Sequence, residues 1–335
     1  MEATTLVPGL ATGIGSLPYR DATTAARCAL ERTPRLPAAP QLPNRDPREL
    51  MVPQWLVALP EVACAPDGTI ALREGAAPDT EPVAEFVPEH HLGLLTFLDE
   101  ARRAQEPPPR IKVQLAGPLT LGLALHDAGL RIDDAFRRGG EVVAAWIPAL
   151  EELIAAKVPG TRTVVFLDEP GLVAWGGDED GPLDHEGAVD LLSGALARVS
   201  GASGVHVCGA GNVRIALEAG PRILGVEAGG WAVHEAASLV RHLDADGWIA
   251  WGAVPTDRPV GEIVDPLWKN LASVWCEFAK RGADPVALRS RALITPACGL
   301  GRHGESQAEH ALDLANELAA RADDQAIAAR LTLGA

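Results

Sequence analysis

Three nitrogen- and sulfur-bearing side chains follow predicted strands in an arrangement typical of metal sites. His206 and Cys208 are two residues apart in an apolar run, so in a strand both side chains project from the same face. Cys298 ends another apolar run and precedes a glycine. Two thiolates and an imidazole favour a borderline-soft ion, and Zn²⁺ is the best candidate. Glu227, at the end of a further predicted strand, is a candidate fourth ligand.

The His-x-Cys pair also has a simpler interpretation, because buried cysteine commonly packs as a small hydrophobic side chain. Cys298 and Glu227 at other strand ends favour the metal site over that interpretation. We assign no chemistry to the remaining cysteines. Cys28 and Cys276 fall at apolar positions of predicted helices, and Cys64 lies in a weakly patterned segment.

A pair of carboxylates, Asp168 and Glu169, ends an apolar run that begins at Thr163. Because that run points toward the carboxyl end of the predicted sheet, we expect at least one carboxylate, Asp168, in the mouth of the site. The turn at residues 13–16, Gly-Ile-Gly-Ser, is either a simple tight turn or a cradle whose amides and hydroxyl bind a substrate carboxylate. It matches neither glycine-rich phosphate-binding pattern, which argues against a nucleotide site.

Histidines elsewhere carry weaker signals. His90 and His91 begin a predicted helix, and we expect them to face solvent. His303 follows Arg302 shortly after Cys298, where it could touch a substrate.

The elements that must position these residues alternate between short apolar runs and longer stretches of helical period, a pattern typical of parallel β-α units. Eight strand candidates predict a single-domain (β/α)8 TIM barrel over residues 1–335, with the site at the C-terminal ends of the strands. The candidates are Ala11–Leu17, a weak one within Leu56–Leu72, Ile111–Ala116, Thr163–Leu167, Gly204–Cys208, Ile223–Glu227, Trp248–Val254 and Ala292–Thr295. The clearest helices are predicted at Val260–Arg281 and Glu305–Arg321. Two proline-rich segments, 34–53 and 78–88, are predicted to be long ordered loops near the barrel mouth.

Composition argues against several classes of protein. Of the 335 residues, 47% are hydrophobic, which suffices for a sizeable core. The formal net charge of −16 argues against nucleic acid or a membrane surface as a partner. The five cysteines are too scattered for a disulfide framework, and the first residues carry no signal-peptide pattern. We therefore expect a cytoplasmic protein.

The order of the motifs resembles the zinc-containing, C-terminal catalytic barrel of cobalamin-independent methionine synthase, within the uroporphyrinogen decarboxylase and methionine synthase-like superfamily. Residues 14–18 (Ile-Gly-Ser-Leu-Pro) and 115–120 (Leu-Ala-Gly-Pro-Leu-Thr) are similar to the family's first- and third-strand motifs. Residues 167–172 (Leu-Asp-Glu-Pro-Gly-Leu) are similar to its Asp-Glu-Pro-Ala-Leu motif. Three further segments match the family's zinc ligands, which fall here on His206, Cys208, Glu227 and Cys298. The motifs span residues 11–301.

The resemblance implies methyl transfer to a thiol, like that of 5-methyltetrahydropteroyltriglutamate–homocysteine S-methyltransferase. A free thiol has a pKa of about 8.5, and coordination to zinc deprotonates it outright. The Zn²⁺ cofactor therefore supplies the nucleophile by holding the substrate thiol as a thiolate. No other catalytic residue is expected. The resemblance also assigns Ile14, Gly15, Ser16 and Asp168 to holding the amino-acid end of homocysteine, with Asp168 at the amino group.

Departures from the family pattern concern the methyl donor. The chain has no room for the second barrel that helps hold the folate polyglutamate, and residues 251–256 read Trp-Gly-Ala-Val-Pro-Thr where folate-using members have Asp-Ile-His-Ser. A methyl-corrinoid needs no such acid, since cob(I)alamin is already a good leaving group. The expected donor is therefore either methyltetrahydrofolate or a methyl-corrinoid, as methylcobalamin or on a corrinoid protein. The family's His-Gly-Glu motif is also missing, and Gln41-Leu42-Pro43-x-Arg45 occupies that part of the chain.

Three alternative functions fit parts of the pattern. A zinc-dependent methyl- or alkyltransferase could act on another thiol such as coenzyme M. A uroporphyrinogen decarboxylase-like lyase would need an arginine-rich mouth and no metal. A non-catalytic barrel could bind zinc, or partner another protein, without turnover.

Overall fold

Seven parallel strands form one curled sheet, and helices pack against its outer side. The computed structural model describes residues 6–75, 80–175, 181–209 and 211–333, without the side chains of 329–333. The strands in chain order are β1 (Leu10–Ala11), β2 (Val62–Cys64), β3 (Ile70–Leu72), β4 (Arg110–Ala116), β5 (Arg162–Asp168), β6 (Ala202–His206), β7 (Ile223–Glu227), β8 (Trp248–Val254) and β9 (Ala292–Pro296). The order in the main sheet is β1-β9-β8-β7-β6-β5-β4, while β2 and β3 pair separately as an antiparallel hairpin.

Helices follow most of the strands, as expected for β-α units. They are α1 (Ala22–Arg32), α2 (Pro53–Leu56), α3 (Pro88–Arg103), α4 (Pro118–Asp127), α5 (Ile132–Lys157), α6 (His185–Leu196), α7 (Val213–Glu218), α8 (Gly230–His234), α9 (Ala236–Asp244), α10 (Asp265–Lys280), α11 (Pro285–Ser290) and α12 (Glu305–Leu333). Aspartates set several of the starts: the side chains of Asp21, Asp184 and Asp284 accept backbone N–H bonds in the first turns of α1, α6 and α11.

The strands predicted from residue 111 onward are confirmed, and their ends agree within two residues with β4 to β9. The first candidate, Ala11–Leu17, is regular strand only at Leu10–Ala11. The predicted helices are also present. However, α10 begins at Asp265 rather than Val260, with Pro266 in its first turn, and α12 continues past Arg321 to Leu333.

The weak strand candidate within Leu56–Leu72 was wrong as a member of the main sheet, because that region forms the β2–β3 hairpin. The irregular segment 37–41 instead runs between the edge strands. On one side Ala39 N donates to Lys112 O of β4, and on the other Gln41 N donates to Gly15 O beyond β1. Only isolated bridges form there, so the main sheet of the described residues has seven strands rather than the predicted eight.

The two faces of the curled sheet carry different side chains. Along β5, Val165 and Leu167 face outward into the large core beneath the helices. Val164 and Phe166 face inward, where they join Trp248 and other apolar residues in a smaller core inside the curl. This smaller core lies toward the amino ends of the strands, which leaves the interior at their carboxyl ends for polar groups.

Among the described helices, none combines the length and the apolar composition that crossing a membrane requires.

Candidate metal centre

Polar side chains stand on the interior face at the carboxyl ends of β5 and β6. Asp168 follows Val164 and Phe166 on the same face of β5. His206 stands at the same level, because it is the register partner of Asp168. Gly225 of β7 is in turn the register partner of His206, and its lack of a side chain makes room for the imidazole: an added Cβ would lie 3.1 Å from His206 Nδ1. Strand alternation and register therefore set these groups side by side.

The structure brings His206, Cys208 and Cys298 together at this end of the sheet. Their donor atoms, one imidazole nitrogen and two sulfurs, all lie within 4.8 Å of one another. The Sγ atom of Cys208 is 3.2 Å from His206 Nε2 and 3.7 Å from Cys298 Sγ. His206 is buried, whereas Cys298 is exposed, so the group opens to solvent on the Cys298 side. These three residues could hold a metal ion.

The two thiols share one proton unequally. Hydrogen bonds donated by Cys208 and His206 hold the pKa of the Cys298 thiol well below its usual range. The pKa of Cys208 is raised, first because it donates to Cys298 and then because it is buried. One thiolate of the pair is thus favoured at neutral pH. That is the protonation state in which a cysteine binds metal.

Glu227 ends β7, but its carboxylate lies outside the three-donor group. The side chain is exposed. Its negative charge contributes to the raised pKa of Cys208, so the carboxylate is near enough to act on the site electrostatically. Its role as a fourth ligand stays a prediction.

Asp168 is buried, and its Oδ1 atom has no hydrogen-bond partner among the described residues. Burial raises the pKa of this carboxyl to about 6, while the charges of Lys112 and His206 oppose the rise. An unpartnered buried carboxylate oxygen is costly to maintain. A ligand group that donates a hydrogen bond, or carries a positive charge, would satisfy it.

Lys112 and Gln114 complete the polar interior, and neither was predicted as a site residue. The buried Lys112 Nζ donates to Ile14 O at 2.7 Å and to Gln114 Oε1 at 3.0 Å, and it lies 4.8 Å from the centroid of the Phe166 ring. Burial lowers the pKa of Lys112 to about 8, and the charge of Asp168 opposes the shift. The sequence does contain a signal for these residues: a lysine and a glutamine two apart in an apolar strand must share one face, which indicates a polar patch there.

The turn at residues 13–16 lies against the loop that carries Cys298. Leu300 N donates to Ser16 O at 2.8 Å, and a Cβ added to Gly299 would lie 3.1 Å from the Ser16 Cβ. Gly15 has a φ of +149° and packs so tightly that a Cβ there would lie 2.4 Å from Gln114 Nε2. The carbonyl oxygen of Ile14 accepts from the buried lysine. The predicted substrate-binding turn therefore borders the loop that carries Cys298.

Gln41 and Arg45, which occupy the place of the missing family motif, have different surroundings. Gln41 is buried and bonds Ser16, whose Oγ donates to Gln41 Oε1 at 3.4 Å. Arg45 instead pairs with the buried Glu49 at 2.6 Å. Only Gln41 thus contacts the predicted substrate-binding turn.

Glu169 points away from its neighbour Asp168, toward helix α4. Its Oε1 accepts from Leu119 N at 3.0 Å, and its Oε2 accepts from the backbone N–H and the hydroxyl of Thr120 at 2.8 and 2.6 Å. The cap residue of α4, Gly117, offers no side-chain cap, so Glu169 satisfies the free N–H groups of the first turn. Glu169 therefore holds a helix in place, and of these two carboxylates only Asp168 lies on the interior face beside His206.

Two of the sequence-based placements were wrong. His90 and His91 are buried rather than facing solvent: the ring of His91 packs against Trp55 and Trp146, and the ring of His90 packs against His91. Cys276, predicted at an apolar position, is exposed on α10.

The structure also places Cys28 and His303, and the contact of His303 with a substrate stays a prediction. Cys28 is buried as expected. His303 bonds the carbonyl oxygen of Thr256, just beyond β8, at 3.1 Å from its Nε2. The imidazole of His303 therefore lies against the loop that follows the carboxyl end of β8.

Comparison with protein-family models and with curated proteins finds no match to this chain. The case for its function therefore comes from the site.

Proposed function

We propose that this chain is a zinc-dependent thiol S-methyltransferase that makes methionine from homocysteine. The observation that carries the proposal is the convergence of one imidazole and two sulfurs, from His206, Cys208 and Cys298, within 4.8 Å at the carboxyl edge of a parallel sheet. In α/β proteins that edge is where active sites are built. A site of three protein donors leaves one coordination position for a substrate, as catalytic zinc sites do.

The donor set and its spacing fit zinc. At a Zn–S distance of about 2.3 Å, two sulfurs of a tetrahedral site stand about 3.8 Å apart, and a sulfur and an imidazole nitrogen stand slightly closer. The observed S–S distance between Cys208 and Cys298 is 3.7 Å, and the S–N distance from Cys208 to His206 is 3.2 Å. The side chains therefore need little movement to enclose the ion.

When bound, zinc would hold the substrate thiol as a thiolate, the form that attacks a methyl carbon. The chain's own residues tune that site by charge. Cys208 and Cys298 contribute two negative sulfurs, and the exposed Glu227 carboxylate adds a third negative charge nearby. A net negative surrounding keeps a substrate sulfur electron-rich. In this proposal Glu227 is the exchangeable fourth ligand.

Asp168 supports an amino acid, rather than coenzyme M, as the thiol substrate. Its unpartnered Oδ1 lies on the interior face beside His206, where an ammonium group would pair with it. Homocysteine carries that ammonium, whereas coenzyme M carries only a sulfonate, which Asp168 would repel. Lys112 and Gln114 hold the turn that includes Ile14, and they thereby position the other end of the substrate.

The proposal includes a (β/α)8 barrel in which segment 37–41 takes the place of the second barrel strand. Hydrogen bonds to Lys112 on one side and to Gly15 on the other support this closure. Such a barrel would place the 13–16 turn, Asp168 and the metal group around one mouth.

The methyl donor in this proposal is a methyl-corrinoid or methyltetrahydrofolate. Residues 255 and 256, which follow β8, are Pro and Thr, and neither can protonate a folate nitrogen. The imidazole of His303 lies beside them, because it bonds the carbonyl oxygen of Thr256. Parallel assays with the two donors separate these cases.

Metal content tests the first half of the proposal. Purified protein should contain about one zinc per chain by inductively coupled plasma mass spectrometry, and the substitutions Cys208→Ser and Cys298→Ser should each remove most of it. Cys64→Ser and Cys276→Ser are the matched controls, because both cysteines lie outside the donor group. Zinc-free protein with an intact circular dichroism spectrum, or equal zinc loss in all four variants, would contradict the metal site.

Methyl transfer tests the second half. Methionine should form from homocysteine with methylcobalamin or with methyltetrahydrofolate, and Asp168→Asn should raise the KM for homocysteine while leaving the zinc content unchanged. Zinc-replete protein that methylates coenzyme M but not homocysteine would overturn the assignment of substrate. Zinc-replete protein that methylates neither thiol would indicate a non-catalytic barrel.

A further inference from the structure

A cavity of about 580 Å³ lies at the opposite edge of the sheet from the candidate metal centre. It is lined by residues at the amino ends of three neighbouring strands, Ser203 of β6, Arg222 before β7 and Gly247 before β8. Residues of α7 and α9, from their first turns onward, and of the loops that follow these helices supply its other walls. Its volume falls within the range of about 300–1,000 Å³ that is usual for small-molecule sites.

Three arginines line this cavity: Arg214 from α7, Arg222, and Arg241 from α9. In the part of the chain that the structure describes, none of the three has a carboxylate within ion-pair distance. Arg241 donates instead to the Ser238 hydroxyl at 3.1 Å. The one acidic side chain of the lining is Glu218, and its Oε2 atom lies 2.6 Å from His185 Nε2 rather than beside an arginine.

This concentration of positive charge is unusual for the molecule. The chain has a formal net charge of −16, and most of its other described arginines have acidic partners. With three arginines against one carboxylate, the cavity lining carries two net positive charges. Unpaired guanidinium groups around a concave surface fit an anion with at least two negative charges.

Two contacts fix part of the cavity lining. The ring of His242 packs against Gly247 so tightly that an added Cβ would lie 2.4 Å from the ring, and His242 Nε2 bonds Trp248 O at 3.1 Å. The Ser203 hydroxyl accepts from Arg222 N at 3.3 Å, which ties the arginine's backbone to β6. Hydroxyls of Ser203 and Ser238 add neutral hydrogen-bonding groups beside the guanidinium groups.

We infer that this cavity binds a small phosphate-bearing molecule, held by Arg214, Arg222 and Arg241. One guanidinium group can donate two parallel hydrogen bonds to two oxygens of a phosphate. The hydroxyls of Ser203 and Ser238 would bind the remaining oxygens. The site is separate from the proposed methyl-transfer centre and does not depend on it. Strands β6 and β7 connect the two sites, because their amino ends adjoin the cavity and their carboxyl ends adjoin the candidate metal centre.

Calorimetric titration of the 335-residue chain with inorganic pyrophosphate at constant ionic strength tests the inference. We expect saturable binding of one pyrophosphate per chain. The double variant Arg222→Gln/Arg241→Gln should weaken that binding by about tenfold or more. The matched control is Arg102→Gln/Arg198→Gln, which removes the same charge from exposed positions outside the cavity and should change the affinity by less than about twofold.

Three results would overturn the inference. One is the absence of saturation up to about 10 mM pyrophosphate, since a built site of this kind should bind more tightly. A second is an equal loss of affinity in both double variants, which would show only a general charge effect. The third is undiminished binding in the Arg222→Gln/Arg241→Gln protein. Circular dichroism spectra of all variants, and zinc content measured alongside, separate a loss of this site from a loss of fold or of the metal centre.

Discussion

The buried His91 makes the stability of this protein sensitive to mild acid. Its ring lies 5.0 Å from Trp146 and 5.4 Å from Phe86, centroid to centroid, and its Nε2 atom has no hydrogen-bond partner among the described residues. Burial first, and then the neighbouring His90, lower the pKa of His91 from 6.5 to about 4. The folded protein therefore holds this imidazole neutral at pH values where the unfolded chain would protonate it.

The size of the effect follows from the two pKa values. Because the folded-state pKa is depressed, the contribution of His91 to stability is complete above pH 6.5 and is lost as the pH falls toward 4. The full difference corresponds to about 3 kcal/mol of unfolding free energy, at about 1.4 kcal/mol for each pH unit. By pH 5 the loss should reach about 2 kcal/mol.

The substitution His91→Phe tests this, because phenylalanine keeps the aromatic packing but cannot take a proton. Urea unfolding would be measured for wild type and variant at pH 7.5 and pH 5.0. The stability of the wild type relative to the variant should fall by about 2 kcal/mol between the two. Other titrating groups cancel in this difference. The control Phe97→Leu, a core substitution in the same helix, should shift stability equally at both pH values. A wild-type-to-variant difference that stays constant across this range would refute the reasoning.

Two further substitutions test the fold and the site. Glu61→Gln should lower the unfolding free energy by about 1 to 3 kcal/mol in urea titrations, because it removes the buried one of the two carboxylates, Glu61 and Glu141, that pair with the buried Arg138; unchanged stability would contradict a structural role for the Glu61–Arg138 pair. Gly15→Ala should raise the KM for homocysteine by about tenfold or more without loss of zinc, because its Cβ would displace the Gln114 amide; an unaltered KM would remove the 13–16 turn from the substrate site.

Parts of the fold governed by local pattern could be predicted from the sequence. The strands from β4 to β9 are apolar runs between helices, and their positions were predicted within two residues. The register that sets His206 beside Asp168 comes from the pairing of β5 with β6, which alternation within one strand does not give. Segment 37–41 could not be predicted as a partner of the sheet. Pro37 and Pro40 remove two backbone donors, so no regular ladder forms, and the remaining donors of Ala39 and Gln41 bond to opposite neighbours.

The residues whose surroundings were predicted wrongly are those whose positions depend on contacts with elements distant in the sequence. His91 is polar and stands at a helix start, but aromatic side chains from other elements, including Trp146 of α5, cover it. Of the adjacent carboxylates, Asp168 lies buried beside His206, and its contact with a substrate stays a prediction. The role of Glu169 depends on the first turn of α4, about fifty residues earlier in the chain, and no local pattern signals it.

The opposite orientations of Asp168 and Glu169 have a consequence for how this segment can change over evolution. One carboxylate faces the mouth and the next anchors α4, so their functions depend on odd and even positions along β5. Deleting or inserting one residue in this strand would exchange the two, turning Glu169 toward the interior of the sheet and Asp168 toward helix α4. We therefore expect related chains to vary in residue type along β5 but to keep its length fixed, with insertions confined to the loops on either side.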